Sequence, residues 1–522
     1  MKKNKFIDLK AIAWDAMQKY GFEPGFSKAV MREVEKIDES SIPDKGARDL
    51  RSLLWSSIDN YDSMDLDQIE YCERGPDDEI HVKVAIADVD HFVPKRSQAD
   101  LHAAHNGTSV YTGIETFPML PDRLSKNISS LLPGPDHRAV VIEYSVLPNG
   151  DVRRGELYRG VVSNKAKLVY EEVGEWLDGL RGIPDSVSKV PGLEEQIRLQ
   201  IEAMGRLKKY RMEKGALELE TIEAEPIADD GLVKDIIVQK MNSARFLIED
   251  FMIAANGTMV DFLGDAGIPM IQRVVRVPRY WDEIVQTAAA YHERLPREPD
   301  SKALSLFLLK RKEADPERFP DLSLTIVKLL GPGEYMTLEP GEPPTGHFGL
   351  AVTDYTHGTA PNRRYVDLVN QRLVKSVLDK EKSPYTPKEL LDLAIWLSDR
   401  EKGSKKVERF MTKAAAAVLL KDRIGETFDA LVTGVTEHGI YARMISPPAE
   451  GRIMQGEQGL RVGQKITVRL LRTDPYKGFI DFACTGRGES GGGVYVARTP
   501  RSRVPAERTG QKSSGRRPRG RR

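Results

Sequence analysis

Apolar residues recur along this chain in several rhythms, and each rhythm predicts a different kind of element. In the first 44 residues Phe22, Phe26, Val30 and Val34 fall near the helical repeat, with Gly21 and Pro24 as breakers, so one or two short helices are expected. From Arg51 to about Val162 β-branched runs take over. Residues 80–93 (IHVKVAIADVDHFV) and 139–158 (AVVIEYSVLPNGDVRRGELY) read as strands, the second turning at Pro148, Asn149 and Gly150, and together they predict a mixed sheet. After Lys165 helical spacing dominates. In residues 243–256 (SARFLIEDFMIAAN), Ala244, Leu247, Ile248, Phe251, Met252 and Ala255 share one face, and Glu249 falls beside it. A stretch rich in Pro and Gly, residues 331–346, interrupts the helices and marks a functional loop. From about Gly425 to Ala483 the period changes to two, and five short strands in this span suit a small OB-type barrel.

These rhythms give an α+β chain: a short helical segment at 1–44, a mixed sheet surrounded by helices at 45–423, a barrel at 424–484 and a basic tail at 485–522. The length of 522 residues is too great for one compact core and accords with several units. No window approaches the roughly 18 to 20 apolar residues of a membrane span. The N-terminus is basic, but Asp8, Lys10 and Asp15 break its apolar run, so no export signal is expected. Cys72 and Cys484 lie far apart without a CxxC, which argues against a disulfide framework and a zinc site and for a reducing cytoplasm. The balanced overall charge conceals an asymmetry. From Thr485 onward there are eleven basic and two acidic residues, so the tail carries +9 and the remainder −9. A detachable basic tail on an acidic body predicts a polyanionic partner gripped locally. Disorder is expected there.

The sharpest chemical feature is SSIDNYDSMDLDQIEY, residues 56–71, with Asp59, Asp62, Asp65 and Asp67 in nine positions followed by Gln68. So many carboxylates cannot share a water-poor pocket as anions without a counter-charge, and a hard divalent cation such as Mg²⁺ supplies one. Asp59 can fold back across Asn60 and Ser63. Taken alone, the pattern also fits an exposed acidic turn. The second feature is THGTAPNRRYVDL, where Arg363 and Arg364 follow Pro361 ahead of a helix. Guanidinium groups fork onto phosphate oxygens, and carboxylates plus arginine point to phosphate chemistry. An ion pair with Asp367 or Glu401 is the plain alternative for the arginines.

Together with VKVAIADV, GTSVYTGIETFPMLPDRLS, GALELE, LIEDFMIAAN and GHFGLAV in this order, these stretches resemble the RNB catalytic domain of the ribonuclease II and ribonuclease R family of 3′→5′ exoribonucleases. The C-terminal barrel resembles that family's S1 RNA-binding domain. The resemblance implies that Asp59, Asp65 and Asp67 hold Mg²⁺, with Mn²⁺ as a substitute in vitro, and position the attacking water. It implies that Tyr111 packs on the terminal nucleotide, that Glu249 contacts the 3′-end sugar, that Arg363 grips the scissile phosphate, and that Glu408 lies near the site. Arg364, Tyr441 and Arg443 complete the expected RNA contacts, and single-stranded RNA is the expected partner of a monomer. Two departures stand out. Gln68 occupies the place of a fourth aspartate, which predicts weaker Mg²⁺ binding with Asp62 close by. Leu217 and Leu219 stand where an aromatic partner of Tyr111 is expected. Cold-shock barrels do not fit in 44 residues, so a more open RNA entrance is expected. The competing expectation is a non-catalytic RNA-binding protein that lost turnover through Gln68; an endonuclease is a third. His357 is expected to orient the arginine loop, His102 and His105 to be ordinary, Lys477 to join Tyr441 and Arg443 in an RNA-stacking and phosphate surface, with barrel core or plain solvent face as the alternative for all three, and Asp88 and Asp90 to support the site from behind.

Overall fold

The computed structural model describes residues 7–37, 46–220, 224–229, 231–436 and 439–488. Seven strands form the central sheet in the order Arg48–Asp49, Val152–Val162, His137–Val146, Ile80–Ala87, Gln68–Arg74, Ser56–Asp59 and Ala166–Val169. The two outermost pairings are parallel and the rest antiparallel, so the expected mixed sheet is present. Strand Ile80–Ala87 lies at its centre, and Val82, Val84 and Ile86 are buried as their β-branched character dictates. Helices Leu193–Lys214 and Ser243–Asp265 cover one face. There Tyr144 meets Phe251 edge-on at 6.4 Å and donates to the Phe251 carbonyl. Gly155 sits where the register slips past Glu143, and a Cβ there would fall 2.5 Å from the Glu143 carbonyl oxygen.

One end of this sheet is where the functional segments converge. The aspartate loop joins strands Ser56–Asp59 and Gln68–Arg74, and Ala87 at the end of its strand donates its N–H to the Asp67 carbonyl at 2.9 Å. Helix Tyr365–Leu378 is fastened to the same end by buried charges. Lys375 pairs with Asp88 at 2.7 Å and Asp90 at 2.9 Å, and Arg372 with Asp90 and Asp100, both at 2.8 Å. Asp88 and Asp90 therefore stand behind the site, holding the helix that follows the arginine loop. Removing one partner of such a group strands its counter-charges in the interior. Arg372→Leu is expected to cost about 3–5 kcal/mol of stability, read by denaturant unfolding.

The N-terminal segment forms the two short helices its spacing predicts, Leu9–Lys19 and Lys28–Glu35. The first packs Leu9, Ile12 and Met17 against Val110, Phe117 and the long helix Pro387–Leu419; the second puts Val30 and Val34 into the main core. His102 stacks on Phe26 at 4.6 Å beside Glu23, and His105 meets the Gly21 carbonyl, so both are structural.

Helix Pro387–Leu419 opens with a full capping box between Thr386 and Glu389 and ends among barrel residues, where Ala416, Ala417 and Leu420 join the barrel core. The barrel closes in the strand order Thr427–Thr436, Gly439–Met444, Glu450–Gln455, Phe479–Arg487, Lys465–Asp474. Its last strand runs past the expected limit at 484 because Gly486 and Arg487 still pair with Thr467 and Ile466. The basic tail beyond 488 lies outside the described residues. Helices dominate after Lys165, and besides strand Ala166–Val169 two strand pairs lie among them. One is the hairpin Ala224–Asp229 with Leu232–Val238; the other joins Met270–Val274 to Glu334–Leu338.

Candidate active site

Asp59 closes its strand, and its Oδ1 accepts from the Asn60 N–H at 2.8 Å and the Ser63 hydroxyl at 2.7 Å, the fold-back its neighbours predict. Lys167 pins the turn from the adjacent strand by donating to the carbonyls of Tyr61, at 2.9 Å, and Ser63. Asp62 points outward at the tip and is exposed. Asp65 is half-buried and accepts from the Tyr111 hydroxyl at 3.1 Å. Asp67 is 1% exposed; the Asn362 N–H donates to one carboxylate oxygen at 2.8 Å and Arg363 Nε to the other at 3.2 Å. Direct contacts thus join Asp65 to Tyr111 and Asp67 to Arg363, with Asp59 alongside in the same loop.

The adjacent arginines have different roles. Among the described residues Arg363 uses only Nε, on Asp67, and it keeps a side chain 41% exposed, so its terminal fork is open to an anion. Arg364 donates twice to Asp367, at 2.9 and 2.7 Å, and Asp367 is fully buried and also accepts the Ala360 N–H. Arg364 is therefore a strut of the loop, the ion pair named above as the plain alternative. His357 supports the same loop: its Nδ1 lies 2.9 Å from the Tyr335 hydroxyl and its carbonyl accepts from Asn370. Burial, with Arg364 and Arg273 nearby, holds His357 neutral. Gly358 permits the close approach of this loop to helix Ser243–Asp265, since a Cβ there would fall 2.3 Å from the Met259 sulfur.

The electrostatics show negative charge in excess. Burial pushes Asp67 up to about 7 even against the pull of Arg363, and Asp65 adds repulsion. Burial also raises Asp65, and raises Glu70 on the neighbouring strand well above the usual carboxylate range. Oxygen donors under that stress fit a hard divalent cation. Among the described residues no three His, Cys, Asp or Glu side chains surround a common point. The loop carboxylates each have their own partner instead: Ser63 donates to Asp59, Tyr111 to Asp65 and Arg363 to Asp67.

Residues 47–380 match the RNB domain, and residues 426–485 match the C-terminal S1 domain of RNase II-type exonucleases. The chain belongs to the RNB family. Ribonuclease R of Thermotoga maritima is 30% identical over 509 residues, covering 90% of this chain and 69% of that protein. Ribonuclease R of Escherichia coli is 27% identical over 531 residues, covering 94% and 64%. The chain thus spans about two thirds of the length of these relatives. The fold is shared with Mycoplasma genitalium RNase R solved with ribose-methylated single-stranded RNA, at TM-score 0.81 and 22% identity over 91% of this chain and 78% of that one. It is shared also with yeast Ssd1, described as a pseudonuclease, at TM-score 0.65 and 15% identity over 89% and 58%. The RNB fold therefore occurs both in ribonucleases and in a pseudonuclease.

In this RNB chain Gln68 is buried at the start of its strand, 8% exposed. Glu249 is exposed on helix Ser243–Asp265, while its neighbour Asp250 is buried and paired with Arg211. Glu408 is half-buried on helix Pro387–Leu419. Leu217 and Leu219 pack into the cluster around Trp281, Ile284 and Phe307. On the barrel, Tyr441 and Arg443 alternate with buried Ala442 and Met444 and so face outward, but Arg443 is held by Asp321 at 2.8 Å and fastens the barrel to helix Phe319–Leu330. Lys477 is exposed between Tyr476 and Phe479, two exposed aromatics that no sequence pattern singles out. Sequence reasoning likewise misses Lys167, whose only signal is a lone cation in the strand beside the aspartate loop, and Glu70.

Proposed function

We propose that this chain hydrolyses single-stranded RNA from the 3′ end and releases 5′-mononucleotides, working as a cytoplasmic monomer. The observation that carries the reading is the half-open guanidinium of Arg363, tethered by one nitrogen to buried Asp67 beside two further aspartates. Mg²⁺ or Mn²⁺ held by Asp59, Asp65, Asp67 and the Gln68 amide oxygen would lower the pKa of the attacking water and offset charge on the phosphate.

The protein's own groups supply the rest. Arg363 directs its free fork at the scissile phosphate and stabilises the charge that grows there. Asp67 fixes the guanidinium plane, and Arg364 with Asp367 fixes the loop that carries it. Tyr111 is 42% exposed beside Asp65 and offers a stacking face to the last base. Glu249 offers an exposed carboxylate to the terminal 2′-hydroxyl, the group that separates RNA from DNA. Tyr441 extends the path onto the barrel.

The test is incubation of a 5′-labelled oligoribonucleotide with the protein and Mg²⁺. A ladder shrinking from the 3′ end supports the reading, and internal fragments overturn it. A gel shift without products supports the second reading, a binder that retains the channel, which Gln68 favours. The basic tail is assigned to sequence-independent grip on RNA. Truncation after Gly488 is expected to flatten the salt dependence of RNA affinity by about 0.7 in log–log slope for each phosphate the tail neutralises, measured by fluorescence anisotropy. An unchanged slope removes the tail from the account.

A further inference from the structure

Glu70 is fully buried on strand Gln68–Arg74, and neither of its carboxylate oxygens has a hydrogen-bond partner among the described residues. Directly opposite in register on strand Ser56–Asp59 is Ser56, also fully buried, whose hydroxyl is likewise unpartnered. Cross-strand partners share a face of the sheet, and so do residues two apart on one strand. Ser56, Glu70 and Gln68 therefore present their side chains on one side. The charged group acting on Glu70 is Asp59, and Asp59 and Glu70 both act on the hydroxyl of half-buried Tyr170, which follows strand Ala166–Val169. Interiors seldom leave a carboxylate and a facing hydroxyl both unsatisfied, because each such group costs free energy that a partner would recover. No lysine or arginine pairs with this one among the described residues. Asp62, the acid whose spacing suggested it could compensate for Gln68, is exposed to solvent.

Resting on the exoribonuclease reading above, we propose that Glu70 supplies the carboxylate that Gln68 lacks and, with Asp59, binds the divalent cation. The anionic ligand has moved two residues along the same face of the same strand. Ser56 lies within the same polar patch and contributes its hydroxyl oxygen to the ion or to a water on it. Few protein ligands suffice, since Mg²⁺ and Mn²⁺ are commonly held by one or two carboxylates with water and substrate phosphate completing the set. The family's charge at the site, four carboxylates, is thereby kept.

The test uses the full-length protein and Mn²⁺ binding followed by the electron paramagnetic resonance signal of free Mn²⁺, with no turnover required. Wild type, Glu70→Gln, Gln68→Asp and the double variant are compared. Glu70→Gln is expected to weaken Mn²⁺ binding by about tenfold or more, and Gln68→Asp in that background to restore most of it. In the wild-type background Gln68→Asp is expected to change affinity by less. If Glu70→Gln does not fold, Glu70→Asp reads the same contact, because drawing the carboxylate back by one methylene weakens the ion while conserving charge. Unchanged Mn²⁺ affinity in the Glu70 variants overturns the proposal and leaves the exoribonuclease reading standing if RNA is still degraded. A wild-type protein that binds no Mn²⁺ overturns both the role of Glu70 and the metal part of that reading.

Discussion

Replacing Asp67 by Asn is expected to abolish RNA degradation and, at the same time, to make the metal-free protein harder to melt. The first effect follows from the position of Asp67 between the aspartate loop and Arg363, where it orients the group that meets the phosphate. Loss of a preorganised electrostatic partner of this kind costs about 10²- to 10³-fold or more in turnover. The second follows from burial. Asp67 titrates near 7 in the fold but near 4 in an unfolded chain, so the folded state favours its protonated form. Its contribution to stability is complete below the unfolded value and is lost as pH rises through about 7. Ionised Asp67 therefore burdens the metal-free fold above neutrality by roughly 4 kcal/mol, with the pull of Arg363 already included. Thermal melts in chelator should show Asp67→Asn above wild type at alkaline pH and level with it in acid, while labelled RNA stays intact. A variant that still shortens RNA at the wild-type rate would remove Asp67 from the mechanism.

Arg363 and Arg364 are expected to separate into a functional and a structural arginine despite being neighbours. Arg363→Ala removes a half-exposed side chain tied to Asp67 through Nε, and Asp67, already raised to about 7, can meet the loss by taking up a proton, so melting near neutral pH should fall less than in Arg364→Ala while turnover falls by about 10³-fold, the scale of an arginine that stabilises a phosphoryl transition state. Arg364→Ala leaves Asp367, fully buried, without its bidentate partner, and stability should fall by about 3–5 kcal/mol. Lys at 363 should recover only part of the rate, because an ammonium cannot hold Asp67 and fork a phosphate together. Equal loss of stability in both alanine variants would contradict the division of labour.

How much of this could be read from the chain depended on whether a residue's role is local. The barrel was legible because its strands alternate with period two, and the Asp59 fold-back because Asn60 and Ser63 are turn residues. The hairpin at 224–238 was not, because Ile227, Leu232 and Ile237 are exposed and Ile236 is buried only by docking on the barrel, so no clean alternation marks it. Asp367 lies three residues after Arg364, a spacing that captures a guanidinium once the helix begins at Tyr365, and the ion pair was visible as an alternative. Arg443 was read as an RNA contact because its partner Asp321 is more than a hundred residues away, beyond the reach of local pattern. Glu70 escaped notice for a different reason. It is an acid in phase with the apolar positions of a central strand, and only the register with Ser56 shows that it has no partner.

The most direct measurement is an anomalous scattering map from crystals grown with Mn²⁺ and a short RNA whose last linkage resists cleavage. The account predicts an Mn²⁺ peak within about 2.5 Å of carboxylate oxygens from the loop at 59–67, with the terminal phosphate between that peak and the fork of Arg363. Loop carboxylates turned to solvent, with the RNA 3′ end lying elsewhere, would contradict it.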